Sequence, residues 1–144
     1  NTKTCGAAQP IVLIAEKEFS EKNPEIVAKF LRVYFRSINA IKKDSEKLVP
    51  EYHRFYKDWA GLDLSLESAK MDLLMHPVFT LEEQIKMFDV SGGPSEVQKW
   101  LQAILDFFTT QGRFRPEERE KAMEMMKAGY ITDKFLKMVK TPIP

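Results

Sequence analysis

A chain of 144 residues, 44% hydrophobic and 30% charged, suits one domain with its own core and excludes a disordered or membrane-embedded composition. Its 22 basic and 21 acidic residues are interspersed and leave a formal charge of +1, so neither a nucleic-acid-binding stripe nor a polybasic membrane tail is present. The longest apolar run, Ile11-Val12-Leu13-Ile14-Ala15, falls far short of the roughly 20 residues a membrane-spanning helix needs.

Residues 1–9 read as a polar lead-in, and residues 10–144 as a single helical domain. The lead-in starts at Asn1 without methionine or signal peptide, as expected of a processed, trimmed or excised chain. Its lone cysteine, Cys5, excludes an internal disulfide, and Thr2, three positions before it, does not fit a lipoprotein signal. From Pro10 to Glu16 the run is continuously apolar and β-branched, which predicts one strand buried on both faces. No other segment of the chain reads as a strand.

Six to seven helices are expected to follow, giving a mainly α protein with a helical share of about 60%. Asn23 and Pro24 form the start of the first. Val27, Phe30, Leu31, Tyr34, Ile38 and Ile41 then mark one face, while Ile26, Val33 and Phe35 predict a second covered side. Pro50 belongs in the first turn of the next helix, which Gly61 ends after Trp59. Ser65 caps a third helix through Met75, and Thr80 with Glu83 makes a capping box for a fourth, to Asp89. A fifth runs from Pro94 to Gln111, striped by Val97, Trp100, Leu101, Ile104, Leu105 and Phe108 and stopped by Gly112. Pro116 opens a sixth, ended by Gly129, and Thr132 caps a short last helix with Phe135, Leu136 and Val139.

Signs of catalysis are few. Gly92-Gly93 lacks the lysine and preceding strand of a phosphate-binding loop, and no nucleophile elbow occurs. His53 and His76 are isolated and Cys5 has no partner, so no metal or other cofactor is expected. The carboxylate pairs Glu82-Glu83 and Glu117-Glu118 fall in first turns, where they complement the helix dipole. The methionines, spread through the helices, and the ten phenylalanines read first as packing residues. Glu16 and Lys17 are the candidate ligand-binding residues, because they sit where a buried strand ends and ligands collect beyond the carboxyl ends of strands in open α/β sheets.

Several segments, in order, carry a family resemblance. They are Pro10-Ile11-Val12-Leu13-Ile14-Ala15, the helix start Phe19-Ser20-Glu21-Lys22-Asn23-Pro24-Glu25-Ile26-Val27, and Ala40-Ile41-Lys42-Lys43-Asp44. Leu101 through Phe114 and Tyr130-Ile131-Thr132-Asp133-Lys134-Phe135-Leu136 follow. Together, Pro10 to Lys140 resembles the C-terminal half of substrate-binding proteins of ABC importers in the nitrate, sulfonate, taurine and thiamine-precursor group. These are two-lobed proteins of the type II periplasmic-binding fold. The resemblance implies the helical part of an α/β lobe, a small polar solute, an ABC permease as partner, an extracytoplasmic or periplasmic location and no enzymatic activity. It also implies that the strand at Pro10–Ala15 joins a sheet built by an N-terminal half. The early strands of the first lobe and nearly all of the second have no counterpart here. Left alone, the strand at Ile11–Ile14 is expected to pair with a second copy of the chain. The rival reading is a freestanding helical module that binds a protein or an apolar ligand through methionine and aromatic side chains.

Overall fold

The computed structural model describes residues 10–140, 142 and 143. Helix accounts for 67% of them. The elements are α1 (Lys17–Lys22), α2 (Pro24–Lys43), α3 (Ser45–Trp59), α4 (Leu66–Met75), α5 (Leu81–Met87), α6 (Glu96–Thr110), α7 (Pro116–Lys127) and α8 (Lys134–Lys137). The lead-in expected over residues 1–9, with Cys5, lies outside the described residues.

The expected buried strand is not formed. Among the described residues there is no strand at all, and Pro10–Glu16 runs as irregular chain. Ile11 is 93% exposed and Ile14 90%. A strand needs a neighbour to take up its backbone N–H and C=O groups. The described chain offers no second strand, so this segment leaves its ladder groups and its apolar side chains to solvent.

Helix α2 organises the rest. Leu31, Phe35 and Ile38, spaced four and three apart, turn one stripe inward and are buried, with Phe35 wholly enclosed. Against this stripe pack Leu81 at the start of α5, Leu136 on α8 and Val139 just beyond it, with Val27, Tyr34, Val78, Ile85, Phe88, Phe135 and Ile143 around them. The sequence assigned Phe30 to this face and Phe35 to another, and the structure reverses the two. Phe30 lies on the outer side of α2 with Ile26 and Val33, all more than half exposed.

Local signals hold well. Thr80 and Glu83 form the expected capping box, and the Glu83 carboxylate also receives the Lys42 ammonium from the end of α2. Ser65 caps α4. The fifth expected helix begins at Glu96 rather than Pro94, because Ser95 and Gln98 make a capping box of their own. Gly112 and Gly129 take the positive φ that stops α6 and α7. Pro50 is a correction. It lies inside α3, six residues in, because Asp44 ends α2 and caps α3 at once, so the helix starts earlier than its proline. The short α1 is not among the helices expected from the sequence, and Glu16 is its N-cap.

Beyond the central cluster the helices pair off. Helix α3 packs on α4, with Val49 and Ala69 buried, and α6 packs on α7, with Leu105 buried. The result is a thin core. The accessible surface is 11049 Å². A close-packed monomer of 16.7 kDa would expose roughly 7600 Å².

Candidate functional site

Glu16 and Lys17 lie exposed at the start of α1. The Glu16 carboxylate accepts from the backbone N–H groups of Glu18 at 2.8 Å and Phe19 at 2.5 Å, as the N-cap of α1. The Phe19 N–H, and then that of Glu18, hold the Glu16 carboxyl below its ordinary pKa. Lys17 extends along the same helix with its ammonium 4.0 Å from Glu21, and both side chains are exposed. The pair is therefore brought together by one helix start and engaged in holding it.

The most connected polar group lies elsewhere, between α3 and α4. Tyr52 donates its hydroxyl to Asp72 Oδ2 at 2.6 Å, and Tyr56 donates to the same oxygen at 3.1 Å. The two tyrosines stand one turn apart on α3 with ring centroids 5.0 Å apart, edge to face. His76 Nδ1 faces the other carboxylate oxygen at 3.4 Å and sits 2.8 Å from the Asp72 carbonyl. The Tyr52 bond, then that of Tyr56 and the charge of His76, holds the Asp72 carboxyl below its usual range. The Tyr52 phenol is pushed up, first by desolvation and then by its bond to Asp72. A phenol made harder to ionise is no nucleophile at neutral pH. The cluster is a hydrogen-bonded latch of the helix pair, and sequence reasoning missed it because its partners are 16 and 20 residues apart on different helices.

Apolar exposure is the larger feature. Ile11 to Ile14, the outer stripe of α2 at Ile26, Phe30 and Val33, and Phe55 and Trp59 on α3 all face outward. A further patch joins α6 to the loop after it, where Phe107, Phe108 and Phe114 stack edge to face at 5.5 and 5.9 Å. The presence of apolar residues on two sides of α2 was legible in the sequence. Shallow grooves also lie on the surface, one beside Asn39, Leu81 and Ile143, another between α6 and α8 and lined by Val97, Leu101 and Ile131. Among the described residues no three metal-binding side chains converge, and no helix is long and apolar enough to cross a membrane.

No protein-family model, curated protein or solved structure matches the chain.

Proposed function

We propose that this chain is the helical half of a solute-binding component of an ABC importer. It serves the capture of a small anion such as nitrate, a sulfonate or taurine, or of a thiamine precursor, outside the cytoplasm. Its part is to support a lobe and its hinge, while ligand capture is closure of two lobes over the solute. The observation that carries this reading is the exposed apolar segment at Ile11–Ile14, which has the composition of a sheet-core strand and no strand to join among the described residues. In this reading the segment completes a parallel sheet supplied by the other half. The outer face of α2, with Ile26, Phe30 and Val33, is covered in the same assembly. The ordered likeness of the segments from Pro10 to Lys140 to that importer group names the class.

The test is to express the complete reading frame from which the chain derives and titrate it with nitrate, taurine, an alkylsulfonate and a pyrimidine precursor of thiamine. Micromolar binding of one of them is the expected result. A product that binds none of the four, from a locus without permease and ATPase genes, would contradict the proposal.

One observation favours a second reading, a helical interaction module. The Phe107, Phe108 and Phe114 cluster projects from α6 with Met125 of α7 also exposed, an arrangement suited to an apolar partner surface. Under that reading Phe108→Ser abolishes partner capture and the segment at Ile11–Ile14 is dispensable.

A further inference from the structure

Helix α2 carries five basic residues and one acidic residue, Glu25, in a chain whose formal charge is only +1. Folding sorts three of the five into a column. Lys29, Arg36 and Lys43 stand seven residues apart, so they follow nearly one line along the helix, and all three are exposed. Beside the column runs the exposed apolar stripe of Ile26, Phe30 and Val33, at spacings of four and three, which Ser37 and Ala40 continue with small side chains. Lys29 lies three residues after Ile26 and four before Val33, and Arg36 stands in the same way between Val33 and Ala40. Lys42, on another face, meets Glu83. Among the described residues no carboxylate lies within ion-pair distance of Lys29, Arg36 or Lys43.

The stripe and its flanking column share one seven-residue register. In that pattern one helix receives another: apolar side chains interlock at the centre and the charges beside them choose the partner. A second copy of the chain does not fit. Laid antiparallel, it sets basic column against basic column; laid parallel, it sets the column against Val27, Tyr34 and Ile41. Neither arrangement supplies a carboxylate. A lipid surface needs no such register. We infer that the outer face of α2 docks an amphipathic helix of a partner polypeptide, apolar at spacings of three and four and acidic in the positions that flank them. The inference rests on the proposal that this face is covered in an assembly. Peptides probe it without any solute, so either can fail alone.

The probes are two labelled helical peptides of about 21 residues with leucine at the core positions, one with glutamate and the other with lysine at the flanking positions. Each is titrated with the full chain and followed by fluorescence anisotropy. The acidic peptide is expected to bind at least about tenfold more tightly at low salt, and the gap should close at high salt. Phe30→Ser should weaken the acidic peptide by about tenfold. Phe30 is exposed, so the variant should keep its helix content by circular dichroism. Lys29→Glu, Arg36→Glu and Lys43→Glu combined should reverse the preference, which a loss of folding cannot do. Equal binding of the two peptides, binding of neither, or a preference unchanged in the reversed variant would overturn the inference. So would self-association of the native chain that Phe30→Ser abolishes, which would seat a second copy on this face. Capture by phosphatidylserine vesicles without peptide binding would assign the face to a lipid surface and overturn it as well.

Discussion

The hydroxyl of Tyr52 lies 2.6 Å from Asp72 Oδ2, a contact that ties α3 to α4 through a carboxylate shared with Tyr56. Another side-chain link between the two helices is the Lys70–Glu46 ion pair at 2.8 Å, which is exposed and so adds little. Tyr52→Phe is therefore expected to lower stability by about 1.5–3 kcal/mol, the range for a hydrogen bond to a charged group. Asp72→Ala should cost more, because it strands two hydroxyls. Urea unfolding followed by circular dichroism measures both. Equal midpoints for wild type and Tyr52→Phe would show that the latch contributes nothing.

The same contact sets a pH window. Asp72 has its folded pKa depressed, so its contribution is present above its unfolded value of about 3.9 and is lost as pH falls below it. Tyr52 has its folded pKa raised, so its contribution is present below an unfolded value of about 10 and is lost as pH rises beyond that. Thermal melts should show a plateau between roughly pH 5 and 9. In Asp72→Asn the acid limb becomes shallower, and in Tyr52→Phe the alkaline one does. Melts whose limbs are the same in both variants would assign the pH dependence to other groups.

Pro50 is exposed in the interior of α3, where its missing N–H leaves the Glu46 carbonyl without a helical partner. Pro50→Ala should raise stability by on the order of 1–3 kcal/mol, less than the full helix-interior penalty because proline also restricts the unfolded chain. A lower melting temperature for the variant would mean that the proline is needed for the angle of α3 on α2.

The two apolar faces of α2 should respond oppositely to truncation. Phe35→Ala opens a cavity in a thin core and is expected to cost about 3–5 kcal/mol, enough to unfold much of the population. Phe30→Ala, on the outer face, should change the stability of this chain by about 0.5 kcal/mol or less. Chemical unfolding of the pair decides which face is inward, and equal losses would contradict the packing.

How much of this was legible depended on how local each interaction is. Thr80 with Glu83, and Ser65 at its helix start, are satisfied within three residues, so the sequence alone located them. Pro50 misled because a proline is a good first-turn signal, whereas Asp44 had already capped the helix six residues before it. The faces of α2 were both visible as apolar, but which one turns inward is decided by Leu81 and Leu136, more than forty and a hundred residues away. A strand at Pro10–Glu16 was written in composition, yet a strand exists only with its partner, and the described residues contain none. Glu16 and Lys17 were inferred from that strand, and without it they became the start of α1.

If the chain is one half of a two-lobed protein, it offers at most one wall of a ligand cleft. Solute pockets bury most of their ligand's surface, and a single wall cannot. Titration calorimetry of nitrate, taurine or an alkylsulfonate into the 144-residue chain is expected to give binding weaker than millimolar. Micromolar affinity would place a complete site within these residues.

The central claim, that the apolar segment at Ile11–Ile14 is built to be covered by another chain segment, is tested most directly by the size of the chain in solution. Four such side chains are worth about 1.5–3 kcal/mol each when buried, against an association cost of about 4–15 kcal/mol. Their backbone groups, which meet no strand among the described residues, add a ready edge for strand pairing across a two-fold axis. Light scattering after size exclusion, at tens of micromolar, is predicted to find the native chain associated and Leu13→Lys shifted towards monomer. A native monomer, with the variant unchanged, would contradict it.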